Sequence, residues 1–119
     1  MQKIEDNIIV QKSFQFALQI VKYVSLLEND KKYIIARQLL KSGTSIGANI
    51  REAQNAENKL DFIHKLKIAA KEIEETEYWL LICEHSDNYP SSKELLEQLF
   101  EIKKITTKII ATSKKSLSN

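Results

Sequence analysis

Cysteine is almost missing from this sequence, and so are the residues that reverse a chain. Its 119 residues include one cysteine, two glycines and one proline. The lone Cys83 excludes an internal disulfide and a cysteine zinc cluster, and the scarcity of glycine and proline predicts long elements joined by few turns. The sequence also lacks a charged-then-apolar leader and any apolar run of about 18 residues. We therefore expect one soluble, cytoplasmic domain with no membrane partner.

A large excess of one charge is missing too. The chain carries 18 Lys and Arg against 16 Asp and Glu, a net charge of +2, which is too small to indicate nucleic-acid binding by itself. The cations are nevertheless unevenly distributed. A first group comprises Lys31, Lys32, Arg37, Lys41 and Arg51, and a second, after the last acid, begins with Lys103, Lys104 and Lys108. The sequence does not decide whether the two groups share a surface.

Helical periodicity is what the sequence has in abundance. Apolar residues recur every three or four positions in four stretches, which is typical of one face of an α-helix. The breaks between the stretches are short, so successive helices are expected to pack as antiparallel neighbours. We predict an all-α fold, an up-down-up-down four-helix bundle that occupies residues 1–119 as a single domain. Its helices are expected at roughly 8–27, 31–56, 59–86 and 91–115, with Asn58 capping the third and a Ser91/Glu94 capping box opening the fourth.

Each predicted helix has a stripe of residues that should face the core. The stripe of the second helix consists of Leu39, Gly43, Ile46, Ile50 and Ala53. A glycine in an exposed helix costs roughly 1 kcal/mol relative to alanine, so Gly43 and Gly47 indicate that another backbone comes close. The alternative is a chain break at residues 42–45, but the apolar period does not slip there, which favours one continuous helix. In the first helix the expected stripe is Val10, Phe14, Ala17, Val21 and Val24, widened by Phe16, Ile20 and Leu27. The stripe of the third helix is Phe62, Leu66, Ala69, Ile73, Thr76, Leu80 and Cys83, and that of the fourth is Leu95, Leu99, Ile102, Thr106 and Ile109.

The end of the third predicted helix carries more apolar residues than a bundle core needs. At a rotation of 100° per residue, Tyr78 and Ile82 lie on the side of the third helix opposite its core stripe, and Trp79 and Leu81 lie beside that stripe. Contiguous apolar surface usually marks a partner site. We therefore predict an oligomer interface at Tyr78, Trp79, Leu81 and Ile82.

Reactive side chains are present but not in arrangements that predict chemistry. His64 follows Asp61 by three residues, whereas a di-metal bundle needs two Glu-x-x-His pairs. Cys83 and His85 are two residues apart, which separates them on a helix. The segment between Gly43 and Gly47 lacks the lysine and the preceding strand of a phosphate-binding loop. We predict no catalytic residue, no metal ligand, no cofactor and no enzymatic activity, with a metal-binding bundle as the least favoured alternative.

One long segment resembles a known family. The run from Gln38 to Glu52, with its Ser45-Ile46-x-x-Asn49-Ile50-x-Glu52 pattern, is followed by Asp61-Phe62-Ile63 and by Glu74-x-x-Glu77-Tyr78-Trp79-Leu80. These motifs are similar to those of the small four helix bundle protein family. It includes the proteins encoded in intervening sequences of bacterial 23S ribosomal RNA genes, and the accessory variability determinant of diversity-generating retroelements is related to it. This chain departs from many members in having Gly43 and Gly47 where they have alanine or proline.

The resemblance implies a homopentameric ring of four-helix bundles, with a basic surface suited to RNA or DNA and no catalytic activity of its own. We accordingly expect a non-enzymatic oligomer that binds structured RNA. The residues expected to bind the nucleic acid are Lys31, Lys32, Arg37, Lys41, Arg51, Lys103, Lys104 and Lys108. The alternative is a protein-interaction scaffold, for example an accessory subunit of a reverse transcriptase.

Overall fold

Four helices account for almost all of the chain. The computed structural model describes residues 4–118, with side chains from residue 8 onward. The helices are α1 (Ile4–Asn29), α2 (Tyr33–Ala53), α3 (Lys59–His85) and α4 (Lys93–Ser118), and no strand occurs among the described residues. The predicted all-α class with four helices is confirmed.

The ends of the helices follow the local hydrogen bonds. The Asn58 side chain accepts a hydrogen bond from the backbone N–H of Asp61 at 2.9 Å, so the predicted cap of α3 is present. The predicted end of the second helix at residue 56 was three residues too late. Beyond Ala53 the backbone N–H groups of residues 54–56 donate to carbonyls three residues back, which tightens the chain into turns.

The predicted capping box at the start of α4 was wrong. The carboxylate of Glu84, not that of Glu94, accepts a hydrogen bond from the backbone N–H of Ser92, at 2.7 Å, and Ser91 donates to the same carboxylate at 3.1 Å. Ser92 Oγ donates to the Leu80 carbonyl at 2.7 Å. These bonds hold Ser91 and Ser92 against the end of α3, so α4 begins at Lys93, two residues later than predicted. At the other end of the fold, α1 already begins at Ile4 and extends to Asn29.

The helices form a closed ring of contacts around one core. Each helix packs against the next one in the chain and α4 packs against α1, whereas α1 and α3 make no close backbone contact, nor do α2 and α4. The molecule is a rod of 52 × 21 × 21 Å. The surfaces formed by the α1/α2 pair and by the α3/α4 pair therefore lie on opposite sides of the rod.

The core confirms the predicted stripes of three helices and corrects the fourth. The residues expected in the core stripes of α2 and α4 are buried, as are those of α3 except Phe62. Phe62 is half-buried, and the adjoining Ile63 is buried in its place. The stripe expected for α1 was wrong in part, since Phe14 is 53% and Val21 46% exposed. Val24 and the widening residues Phe16, Ile20 and Leu27 are buried as predicted, and Ile9, Ser13 and Tyr23 complete the buried side.

The glycines of α2 explain which stripe of α1 is buried. A Cβ at Gly43 would lie 2.9 Å from Ile20 Cγ1, and a Cβ at Gly47 would lie 3.3 Å from the backbone oxygen of Ser13. The predicted close approach is confirmed, and α2 continues through both glycines without a break. Since α1 is apolar on two adjoining stripes, the one that fits against the glycines of α2 is buried, and the other remains at the surface.

Candidate nucleic-acid interface

Three cations lie along one exposed face of α2. Arg37, Lys41 and Arg51 are separated by four and ten residues, which places them within about 80° of one another around the helix and opposite its buried side. All three are exposed, and among the described residues none lies within 4.0 Å of a carboxylate. We call these three residues the α2 stripe.

A carboxylate on α3 lies near the middle of the α2 stripe. Burial is the main cause of the raised pKa of Glu72, and the charge of Glu75 raises it further, while the charge of Lys41 acts in the opposite direction. Lys41 is therefore within electrostatic range of an acid without forming an ion pair with it. Its ammonium group remains open to solvent and to an external anion.

The two lysines in the turn before α2 differ from each other. Lys31 is exposed and has a φ of 63°, in the left-handed region, where the chain reverses between α1 and α2. Lys32 is paired with Asp30, and its ammonium lies 4.6 Å from the centre of the Tyr89 ring. The charge of Lys32 is therefore offset within the protein, whereas Lys31 forms no ion pair with any residue that the structure describes.

The predicted basic residues of α4 form a separate surface. Lys103 lies 3.0 Å from Glu74 and 3.7 Å from Glu77, and its pKa is raised, chiefly by the hydrogen bond to Glu74. Lys104 lies over the ring of Phe100 at 4.9 Å, and Lys108 is exposed. Because α2 and α4 share no close contact, the cations of the two helices do not merge into one patch on a single chain.

Sequence reasoning missed a further pair of cations, one on α3 and one on α4. Lys67 of α3 is close enough to Lys114 of α4 for the charge of Lys114 to be the main cause of the lowered pKa of Lys67. The signal for Lys67 was present as a Lys67/Lys71 pair four residues apart on one side of a helix. Its proximity to Lys114 depends on how α3 and α4 align, which periodicity does not give.

The predicted oligomer interface is only partly exposed. Tyr78 is 61% and Leu81 42% exposed, whereas Trp79 and Ile82 are half-buried. Trp79 packs against the core and donates a hydrogen bond from Nε1 to Glu75 at 3.2 Å. On this side of the rod Phe100 of α4 is also exposed.

A second exposed apolar surface lies on the opposite side of the rod. Phe14, Leu18 and Val21 of α1 and Leu40 of α2 are all exposed. A groove beside them runs between the two helices and is lined in part by Ala17 and Ala48. This surface was not predicted, because Phe14 and Val21 were assigned to the core.

The remaining candidate reactive groups have structural surroundings. Cys83 is buried, and burial raises the pKa of its thiol, which keeps it protonated and unreactive near neutral pH. His64 and His85 are exposed. Across the described residues no three His, Cys, Asp or Glu side chains come together as a metal site, and no helix there has the length and apolar character to cross a bilayer.

Comparisons with known proteins agree with the fold and with the family resemblance. Residues 5–109 match the model of a family described as 23S rRNA-intervening sequence protein. The chain is also similar to a protein of unknown function from the S23 ribosomal protein family of Bacteroides thetaiotaomicron, known from a crystal structure. The two are 41% identical, with a TM-score of 0.86, and the match covers 91% of this chain and 99% of that one. No functionally curated protein matches. The chain belongs to the 23S rRNA-intervening sequence protein family.

Proposed function

We propose that this protein is a non-enzymatic cytoplasmic protein that binds structured RNA through the phosphate backbone. The observation that carries the proposal is the α2 stripe, in which Arg37, Lys41 and Arg51 lie exposed on one helix face without ion-pair partners in the described structure. Unpaired cations aligned on a rigid helix suit a polyanion. The family description refers to 23S ribosomal RNA, which favours RNA as that polyanion.

The mechanism would be neutralisation of phosphates with release of counterions. At 1.5 Å per residue the α2 stripe spans about 21 Å along the helix. Its arginines can each bind a phosphate through two parallel hydrogen bonds, while Lys41 acts as a compact point charge. Contacts of this kind position a nucleic acid without reading its bases. We therefore expect affinity for folded RNA with little sequence preference.

The test compares two double variants that remove the same formal charge. Arg37→Gln/Lys41→Gln removes unpaired cations, whereas Lys12→Gln/Lys103→Gln removes cations that already lie 3.1 Å from Glu101 and 3.0 Å from Glu74. For Arg37→Gln/Lys41→Gln, the slope of log affinity against log salt should fall by the equivalent of up to two phosphate contacts, and binding at low salt should weaken on the order of 10-fold. For Lys12→Gln/Lys103→Gln, both the slope and the affinity should change little.

Three outcomes would contradict the proposal. Equal losses in the two double variants would mean that only total charge matters. Failure of the unaltered protein to retain structured RNA at low salt would reject RNA binding altogether. Salt-insensitive capture of a protein partner, such as a reverse transcriptase, would favour the scaffold alternative instead.

We further propose that the helices alternate in direction, as an up-down-up-down bundle. Contacts between neighbouring helices support this, because residue numbers rise along one helix as they fall along the other. Ser42 bonds to Thr76 at 2.9 Å while Glu52 lies 3.8 Å from Lys65. The short connections between the helices have the same implication.

We also propose that copies of the chain associate into a closed ring, with five copies as the family resemblance implies. Two exposed apolar surfaces on opposite sides of the rod support a head-to-tail contact, which generates rings when the rotation closes. One is formed by Tyr78, Leu81 and Phe100, and the other by Phe14, Leu18, Val21 and Leu40. A ring would also repeat the α2 stripe and so multiply phosphate contacts.

The assembly is tested by charged substitutions at exposed positions. Tyr78→Glu/Leu81→Glu should yield monomers in sedimentation, because it buries charge in the proposed contact. Leu60→Glu is the matched control, since Leu60 is 67% exposed and belongs to neither surface. Trp79 is unsuitable because it packs against the core. Unchanged sedimentation of the double variant, or a monomeric unaltered protein, would contradict the assembly.

A further inference from the structure

One exposed aromatic side chain has no role in the fold or in the proposed ring. Phe14, Tyr78 and Phe100 belong to the two apolar surfaces described above, whereas Tyr33, the first residue of α2, belongs to neither and is 54% exposed. Tyr33 makes no hydrogen bond, ring contact or cation contact with any other described residue. Both the ring and the hydroxyl group are therefore available to a molecule outside the chain.

Tyr33 lies on the same side of α2 as the α2 stripe. At a rotation of 100° per residue it is about 40° from Arg37, one helical turn further on, and in line with Arg51. Side chains four residues apart on a helix are neighbours, with Cβ atoms roughly 5 to 6 Å apart. The aromatic ring is therefore next to the first cation of the stripe.

Two cations flank this ring. Lys31 precedes it by two residues and Arg37 follows it by four, and both are exposed. The acids nearest in sequence are Glu28 and Asp30, and Asp30 is paired with Lys32. No described carboxylate lies within 4.0 Å of Lys31 or Arg37. The positive charge on both sides of the ring is therefore open to an external anion.

The charge favours a nucleotide over an apolar protein segment as the occupant of this surface. An apolar partner that covered the ring would also remove water from the neighbouring cations without pairing them, which is costly. A nucleotide supplies a flat base for the ring and phosphates for the cations. Surfaces that bind unpaired nucleic acid combine these two features, since cations follow the backbone while aromatic side chains stack on the bases.

We propose that Tyr33 stacks on an unpaired base of the bound RNA, while Lys31 and Arg37 bind the phosphates beside that nucleotide. This inference rests on the proposed RNA binding and narrows its substrate to structured RNA with a bulge or a loop. The bases inside a paired RNA helix are stacked on one another, so an aromatic side chain reaches only those that are splayed out. Stacking accepts any base, so little sequence preference is expected.

The experiment compares a blunt RNA duplex with the same duplex carrying one extra, unpaired adenosine in one strand. The unaltered protein should bind the bulged duplex on the order of 10-fold more tightly, which is typical of one stacked base. Tyr33→Leu keeps an apolar side chain but removes the aromatic face, so it should abolish this preference. Tyr33→Phe keeps the aromatic face and should retain it. Neither variant should change the slope of log affinity against log salt, because neither removes a cation.

A fluorescent adenine analogue at the bulge reports stacking directly. Its emission should be quenched on binding to the unaltered protein and to Tyr33→Phe, but not on binding to Tyr33→Leu. Leu60→Ala is the control, because Leu60 is an exposed apolar residue of α3, far along the chain from Tyr33, and it should leave affinity and quenching unchanged. All variants should keep the melting temperature of the unaltered protein, since both positions are exposed.

The outcomes separate this inference from the proposed function. If the unaltered protein binds both RNAs equally well, or if Tyr33→Leu keeps the preference for the bulge, the stacking site is refuted and RNA binding stands. An equal loss of affinity for both RNAs in Tyr33→Leu would also refute stacking. A loss of preference in Tyr33→Phe would show that the hydroxyl group, not the ring, makes the contact, and would refute it as well. If the unaltered protein binds neither RNA, both proposals fail.

Discussion

Replacing Gly43 by alanine tests the close packing of α1 on α2. The new Cβ would lie 2.9 Å from Cγ1 and 3.0 Å from Cγ2 of Ile20, a fully buried side chain with little freedom about χ1. Overpacking of this kind costs about 1 to 3 kcal/mol, and the better helix propensity of alanine returns roughly 1 kcal/mol. We expect Gly43→Ala to lower the free energy of unfolding by about 1 kcal/mol, which corresponds to a melting temperature about 4 °C lower.

Gly47→Ala is the natural comparison, because the same residue type changes on the same helix. Its Cβ would lie 3.3 Å from the backbone oxygen of Ser13, a tight contact but not an overlap. The small strain and the gain in helix propensity should nearly cancel. We expect this variant to remain within about 0.5 kcal/mol of the unaltered protein, the usual range for substitutions without a specific clash.

A double-mutant cycle with Ile20→Ala isolates the contact itself. In that background the Cβ at position 43 meets space instead of Ile20, so Gly43→Ala should become stabilising by roughly 1 kcal/mol. Urea denaturation of the four proteins measures the coupling. If Gly43→Ala stabilised both backgrounds equally, the glycine would not be needed for the approach of α1, and the explanation for the choice of buried stripe would fail.

Three further predictions concern single side chains. Thr106→Val should raise the free energy of unfolding by about 1 kcal/mol, because Thr106 Oγ1 is buried with no hydrogen-bond partner in the described structure; a lower melting temperature would contradict this. Tyr23→Phe should cost roughly 1 kcal/mol in urea denaturation by removing the 2.7 Å bond from Tyr23 to the Pro90 carbonyl, and an unchanged midpoint would show that this bond does not stabilise the loop. The pKa of Glu84 is lowered, chiefly because its carboxylate accepts a hydrogen bond from the Ser92 backbone N–H. This carboxylate therefore stabilises the fold fully at pH values above its unfolded pKa of about 4.3, and the stabilisation is lost as the pH falls through its lower folded pKa. Glu84→Gln should therefore flatten the acid limb of the stability profile, and an identical acid limb would refute the role of Glu84.

Periodicity was sufficient for the helices and for most of the core. In α2 and α4 most apolar residues lie on one side, so position along the chain determines which side is buried; the core stripe of α3 was also predicted, except at Phe62, although its end carries further apolar residues at the surface. The core stripe of α1 could not be chosen in the same way, because α1 has two adjoining apolar stripes, one that contains Ile20 and one that contains Val21. The choice depends on shape, in particular on which residues fit against Gly43, and shape is a property of the packed pair of helices.

The candidate site was less predictable because charge depends on neighbours. The cations of α2 were predicted from the sequence, but the pairing of Lys103 with Glu74 and Glu77 of another helix was not. It equally missed the approach of Lys67 to Lys114. Both facts follow from the alignment of α3 with α4, which requires the packed structure. Local sequence signals were also misleading at Ser91, where the acid that binds the serine lies on the preceding helix.

The dependence of RNA affinity on salt tests the central claim most directly. If the three cations of the α2 stripe each bind a phosphate, the affinity of one chain for duplex RNA should fall on the order of 40-fold between about 50 and 200 mM salt, and more steeply for an assembled ring. Fluorescence anisotropy with a labelled duplex measures this. An affinity that stays constant over that range, or no binding at about 50 mM salt, would contradict the account.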